Sequence, residues 1–420
     1  MSKEFWRYDS IHYQDLDAYE TCIVSHFIEK VSRMLVEARG IVYDATNQPD
    51  NRRIAFFTSL YALKSGILFC AFQVGSGKHS TDSTIFLCRS QDGGNTWQTQ
   101  ETRFASVIDG IPGSLSGPAL VEVEPGRLLL FATWFDRSEP ARPLFDPATE
   151  GILHSRQLMA VSTDHGESWS DWQTLSTPGL TGCAATGRVL QWADGTIAFA
   201  FESFKEFDDP EPAKHGAWIL PSVDGGRSFQ QPLLVAQDPK NEIYYWDQRL
   251  CPTSQRGDFV AFFWTHDRSS QADLNVHVRH ARIEGSAIQT GPIQATTIRG
   301  QIAAPLMLDD GRLLAFVVDR HRPGTMKLWS SGDSGKTWPE ADCLVVHTHD
   351  ELAALHQKSE RVDFAEYWED MGKWSFGHPA LVRLDAQHVL AAFYAGTPDR
   401  MSIHWSRINV VEKKMVSGYW

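Results

Sequence analysis

The sequence predicts an all-β chain, a six-bladed β-propeller of four-stranded antiparallel blades. Three observations lead there. An octamer of the form Ser-x-Asp-x-Gly-x-Thr/Ser-Trp/Phe occurs four times, at Ser90–Trp97, Ser162–Trp169, Ser222–Phe229 and Ser331–Trp338. A second unit, in which an apolar strand runs through a turn into another apolar strand, recurs between the octamers. The chain has 420 residues, more than one undivided core holds, and a ring of blades divides its core radially.

Each octamer reads as a hairpin clamp. Its Asp and Ser/Thr oxygens accept backbone N–H groups of a tight turn, its Gly supplies a positive φ, and its terminal aromatic packs between strands. The four aspartates are 72, 60 and 109 residues apart. The last interval is about two blades long, so one blade lacks the clamp. The second unit appears at Gly117–Phe131, Gly187–Phe199, Ala304–Phe316 and His378–Phe393. It reads as the two inner strands of a blade joined by a short hairpin turn. The blades then fall near 51–105, 112–178, 182–237, 242–293 (without a clamp), 298–347 and 374–410. A strand near Met34–Tyr43 completes the sixth, which closes the ring and removes free sheet edges. Residues 1–37 form an N-terminal extension packed on the propeller of 38–420, with helical spacing over 11–33. An insertion occupies about 348–373, helical around Leu352–Lys358.

Composition is that of a globular protein, 42% hydrophobic and 22% charged, with 15 Trp. A formal net charge of -13 argues against nucleic acid or an anionic membrane as the main partner. Cys22, Cys70, Cys88, Cys183, Cys251 and Cys343 show no CxxC pairing, so buried free thiols are expected rather than zinc or a disulfide framework. The first residues lack a basic and an apolar segment of a leader, and no apolar run reaches spanning length, so a cytoplasmic location is expected. No metal-ligand spacing and no Gly-rich phosphate loop occur, so no cofactor is expected.

In a propeller, the starts of inner strands and the loops between second and third strands share one face, opposite the clamps. That face collects Arg53, Tyr245, Trp246, Asp247, Arg249, Gln301 and His378 from strand starts, and Lys78, His79, Asp82, Glu202, Arg268, Arg320 and Arg322 from the loops. Both sets are rich in arginine, whose planar guanidinium pairs with carboxylates. Trp134, Trp246, Trp264 and Trp374 are available there to stack on sugar faces.

The octamer is similar to the Asp-box (BNR) repeat, and over about residues 38–410 the chain resembles the sialidase (neuraminidase) superfamily of β-propellers. The resemblance implies an exo-acting glycoside hydrolase that removes a terminal carboxylated sugar from a small acidic glycoside or oligosaccharide. It implies that three arginines hold the sugar carboxylate, with Arg53 in Asn51–Ala55 as the first, Arg268 as the second and Arg320 or Arg322 as the third. Asp82, in the loop before the third strand of the first blade, resembles the acid/base of the family. The tyrosine nucleophile expected at the start of the sixth blade is absent; His378 stands there, and Asp247 stands near the place of its glutamate helper. Three explanations stay open. Tyr244 or Tyr245 acts as nucleophile with Asp247; His378 acts as a base in inverting hydrolysis or in uronic-acid elimination by a lyase; or the propeller binds a glycan without turnover.

Overall fold

Short strands and tight turns alternate along the chain because apolar runs of five to ten residues are punctuated by Gly, Asp, Asn and Pro. The computed structural model describes residues 34–100, 104–212, 214–321, 323–350, 355 and 364–411. The helical spacing at 11–33, most of the expected N-terminal extension, all but Leu355 of the helix expected around Leu352–Lys358, and Arg322 lie outside the described residues.

β1 (Leu35–Tyr43) opens the described chain. A first set of strands follows: β2 (Ile54–Ala62), β3 (Leu68–Gly75), β4 (Thr84–Ser90) and β5 (Gln98–Thr99). The second sheet is β6 (Gly113–Glu124), β7 (Arg127–Asp136), β8 (Ser155–Ser162) and β9 (Gln173–Leu175). The third is β10 (Cys183–Ala185), β11 (Leu190–Gln191), β12 (Ile197–Ser203), β13 (Gly216–Ser222) and β14 (Leu233–Ala236). The fourth is β15 (Ile243–Pro252), β16 (Asp258–Asp267), β17 (Ala272–Asp273), β18 (His277–Glu284), β19 (Ala287–Thr290) and β20 (Gln294–Ala295). The fifth is β21 (Ala303–Met307), β22 (Leu313–Asp319), β23 (Gly324–Ser331) and β24 (Cys343–His349). After helix α1 (Phe364–Lys373) come β25 (Phe376–Arg383), β26 (His388–Thr397) and β27 (Arg400–Asn409). β1 pairs antiparallel with β27. This last set joins β2–β5 in one eight-stranded sheet through the parallel pair Ile54↔Met401.

The second strand of each set, such as β7 or β22, is apolar on both faces because a neighbouring set packs on each side. Core clusters lie between successive sets, with Phe131 stacked on Phe199 at 4.6 Å between the second and third sheets. One cluster joins residues of β25–β27 to β2–β4. The leading strands touch in sequence, β2 on β6, β6 on β10, β15 on β21, β21 on β25 and β25 on β2, while β15 meets the third sheet through β11 and β12.

The four octamers adopt one geometry. In the first, Ser90 Oγ donates to Asp92 Oδ1, the Gly94 N–H donates to Ser90 Oγ, and the Thr96 N–H and hydroxyl donate to the two Asp92 oxygens. The same bonds recur at Asp164, Asp224 and Asp333. In the fourth sheet a tight turn at Gly285 and Ser286, with Gly285 at φ 61, joins β18 to β19 in the octamer's place.

One irregularity positions the site. β2, β6, β15 and β25 each carry a bulge, between Phe56 and Ser59, Ser116 and Ala119, Trp246 and Arg249, and Gly377 and Ala380. Each bulge contains a left-handed residue: Phe57 (φ 52), Gly117 (φ 60), Asp247 (φ 48) and His378 (φ 51). A bulge re-aims its side chain, and each non-glycine residue held this way costs about 1–3 kcal/mol. Among the described residues no helix is long and apolar enough to cross a membrane.

Candidate functional site

Three of these bulges, in β2, β15 and β25, meet. Arg249 donates through Nε (3.1 Å) and Nη2 (2.7 Å) to Asp247 Oδ1, and its Nη2 lies 2.6 Å from His378 Nε2. The His378 Nδ1–H donates to the Thr58 carbonyl at 3.3 Å, which leaves the Nε2 lone pair to accept from the guanidinium. Burial, then the charge of Arg249, holds His378 well below the ordinary imidazole range, so it is neutral. The lone pair that a base would use is engaged. Gly187 permits this packing, since a Cβ there would come within 2.6 Å of Arg249 Nη1.

Asp247 is nearly buried, with 14% of its side chain exposed. Burial raises its carboxyl to about 6; the Arg249 charge opposes this and the Glu202 carboxylate adds to it. Glu202 is the penultimate residue of the wholly buried strand β12. It accepts the Gln248 N–H at 3.0 Å and faces buried His215 Nε2 at 3.2 Å. Asp247 and Glu202 line one cavity of about 90 Å³ together with Trp246, Phe57 and His79. Tyr367, Trp368 and Met371 of α1 also line it, and the Trp368 ring stacks on Phe145 at 3.6 Å.

A polar network flanks this cavity. Lys78 Nζ donates to the Met371 and Trp374 carbonyls and, at 2.8 Å, to Tyr394 Oη. Arg320 donates to Gln301 Oε1 (2.9 Å), the Phe376 carbonyl (2.5 Å) and Tyr394 Oη (3.4 Å). Its guanidinium lies 4.0 Å from the Trp374 ring centre. All these acceptors are uncharged. Gln301 Nε2 donates to Asp273, which also accepts from Trp264 Nε1 and lies 3.2 Å from His266 Nδ1. Gly377 has φ 140, a backbone that side-chain-bearing residues rarely adopt, and a Cβ there would come within 2.4 Å of Arg320 Nη2. The charges of Arg249, Lys78 and Arg320 all bear on His378. Trp246 stacks on His266 at 5.0 Å and meets Trp264 edge-on.

The described members of the expected arginine trio share no partner. Arg53 reaches the Ser76 carbonyl and an exposed Asp50 at 3.5 Å. Arg268 donates to Glu150 at 2.7 Å and to the Asn241 carbonyl, and lines a neighbouring open cavity of about 570 Å³. Of these described arginines, Arg320 joins the network beside the cavity. Asp82 is exposed, and its Oδ1 accepts from the Ser76 N–H, Ser76 Oγ and Ser80 Oγ, which ties it into its own loop. Tyr244 donates its hydroxyl to Glu150 at 2.6 Å rather than to Asp247, and burial with that carboxylate pushes the phenol up. Tyr245 faces the other side of β15, against Phe263 and His277. Trp134 is fully buried core, donating to the Ser106 carbonyl.

Sequence position alone gives Glu202 no role and does not single out Tyr394. A carboxylate inside the apolar run Ile197–Ser203 is a signal that could have singled out Glu202. Tyr394 lies in the apolar β26 and reads as ordinary core. Among the described residues no cluster of three or more metal-ligating side chains occurs.

No protein-family model matches the chain, and no curated protein matches it in sequence. Solved structures share its fold. A protein of unknown function from Dyadobacter fermentans superimposes with a TM-score of 0.65 at 19% identity, covering 90% of this chain and 99% of the other. The Hadza microbial sialidase Hz136 gives 0.61 at 19% identity, covering 88% and 68%. The intramolecular trans-sialidase from Ruminococcus gnavus, in complex with oseltamivir carboxylate, gives 0.59 at 13% identity, covering 90% and 98%. The chain therefore has an all-β fold of the sialidase type.

Proposed function

We propose that the chain is a six-bladed Asp-box propeller of the sialidase superfamily, and that it hydrolyses a terminal acidic sugar from a small glycoside at the Asp247 cavity. The succession of interfaces from β2 back to β2 supports the ring. The observation that carries the function is Asp247, a carboxyl raised to about 6 beside a second carboxylate in an aromatic cavity. Near neutral pH such a group holds a proton long enough to give it to a leaving oxygen. Glu202 faces the same space and stabilises positive charge developing on the sugar.

Arg320 receives the sugar carboxylate. Among the described residues its bonds go only to neutral oxygens, and Arg249 and Lys78 add positive charge nearby. The carboxylate ligand of the Ruminococcus gnavus neighbour agrees in chemistry. Asp247 takes the acid role in place of Asp82, whose Oδ1 is tied to Ser76 and Ser80 within its own loop. Arg268 meets the rest of the glycoside in the adjoining open cavity. Ligand pockets usually measure about 300–1,000 Å³, so a sugar ring enters when the α1 side chains over the cavity move aside.

The test is release of chromophore from sialosides and glucuronides by the purified chain. Release by the wild type and its loss in Asp247→Asn support the reading. No release from any acidic glycoside by a folded wild type would move the assignment to glycan binding without turnover.

A further inference from the structure

The loop between β3 and β4 turns through His79, whose backbone is left-handed at φ 58. Buried Arg137 fixes it from behind, donating through Nη2 to the His79 carbonyl and through Nε to Ser114 Oγ, both at 2.8 Å. The imidazole lines the cavity that holds Asp247 and Glu202. Its neighbours are rings: Phe56 at 5.4 Å, Phe57 at 5.9 Å and Trp368 at 6.1 Å. Both ring nitrogens are buried, and neither has a hydrogen-bond partner among the described residues. A buried polar atom left unpaired is costly, and the left-handed backbone adds strain. Strain and unmet hydrogen bonds at one cavity wall are a signature of a residue kept for a ligand.

We propose that His79 is a ligand-contacting residue that hydrogen-bonds the hydroxyl groups of the sugar ring in the cavity, one ring nitrogen donating and the other accepting. This rests on the reading of the cavity as a sugar site. Burial first, then the charges of Lys78 and Arg137, brings the imidazole down to about 3, so the ring is neutral under ordinary conditions. A neutral imidazole offers one N–H and one lone pair, the complement of a hydroxyl rather than of a carboxylate. The contact also reaches the acid. His79 touches Phe57, whose ring lies 4.4 Å from His378, and His378 meets the Arg249 that pairs with Asp247. A hydroxyl held at His79 therefore orients the ring against the catalytic carboxyl.

The experiment uses the full chain labelled with 15N-histidine, with the His79 ring signals assigned by their loss in His79→Phe. Sialic acid, glucuronic acid and galactose are added to saturation, and binding is followed by tryptophan fluorescence. Any of the three that binds is expected to shift both His79 ring nitrogens. His79→Phe is expected to weaken that sugar about tenfold or more, with a melting temperature unchanged or raised because two unpaired nitrogens leave the core. His79→Asn suits a left-handed backbone and keeps a donor and an acceptor, so it should lose less affinity. A sugar that binds while the His79 signals and the His79→Phe affinity stay unchanged overturns the assignment and leaves the pocket standing. Failure of all three sugars to bind, with no acidic glycoside cleaved, overturns both.

Discussion

The clamp-bearing rim and the central face use the same side chain in opposite ways. Asp92, Asp164, Asp224 and Asp333 are held down to about 2, chiefly by hydrogen bonds from the Thr or Ser four residues on. Asp247 is pushed up to about 6 by burial. On the rim, each carboxylate finds its donors within its own octamer. At the centre, a carboxyl is forced among aromatic rings and beside Glu202. The clamp carboxylates are satisfied by local bonds, whereas Asp247 sits in a left-handed bulge beside a second carboxylate, the pattern that the proposed chemistry calls for.

The largest effect should come from replacing Asp247, the proposed acid. Asp247→Asn is expected to lower turnover of an acidic glycoside by about 100-fold or more, measured as initial rate on folded protein. Wild-type turnover in that variant would remove Asp247 from the mechanism. Next comes Arg320→Met, expected to weaken sialic acid about tenfold or more while scarcely changing its methyl ester. Equal loss for acid and ester would mean that Arg320 acts by packing on Trp374.

On the rim, Asp164→Ala removes acceptors for Ser162 Oγ and for the Ser168 N–H and hydroxyl. A loss of about 2 kcal/mol in denaturant unfolding is expected, with turnover per folded molecule unchanged. The two regions should also respond to pH with opposite signs. Rim carboxyls have folded pKa values below their unfolded ones, so their stabilisation is present above about pH 4 and is lost as pH falls toward 2. Asp247 has a folded pKa above its unfolded one. Its contribution is complete below about pH 4 and is lost as pH rises through 6, and Asp247→Asn should abolish that slope. The smallest effect belongs to Arg53→Ala, within about 0.5 kcal/mol in stability, as for an exposed ion pair, and without change in sugar affinity.

The same contrast explains what could be read in the sequence. Each octamer closes on itself within eight residues, so its spacing, and the strand pattern between the copies, is legible in the sequence. The central face is assembled by bulges in β2, β6, β15 and β25, and a bulge changes which way a side chain points without changing the apolar pattern. Asp247, Arg249 and His378 were legible as polar residues at strand starts, but their direct contact was not. Arg53 and Asp82 match a family pattern by position, while local partners, Asp50 for one and Ser76 and Ser80 for the other, engage them. Tyr394 was hidden because a tyrosine in an apolar strand looks the same whether its hydroxyl meets core or two cations.

The most direct test is the protonation of Asp247 itself, followed by carboxyl-carbon NMR in aspartate-labelled protein with the signal assigned by its loss in Asp247→Asn. A midpoint near 6, matched by a limb of the pH–rate profile, is the predicted result. A midpoint at or below the ordinary carboxylate value near 4 would contradict the account, because the central carboxyl would then differ little from those on the rim.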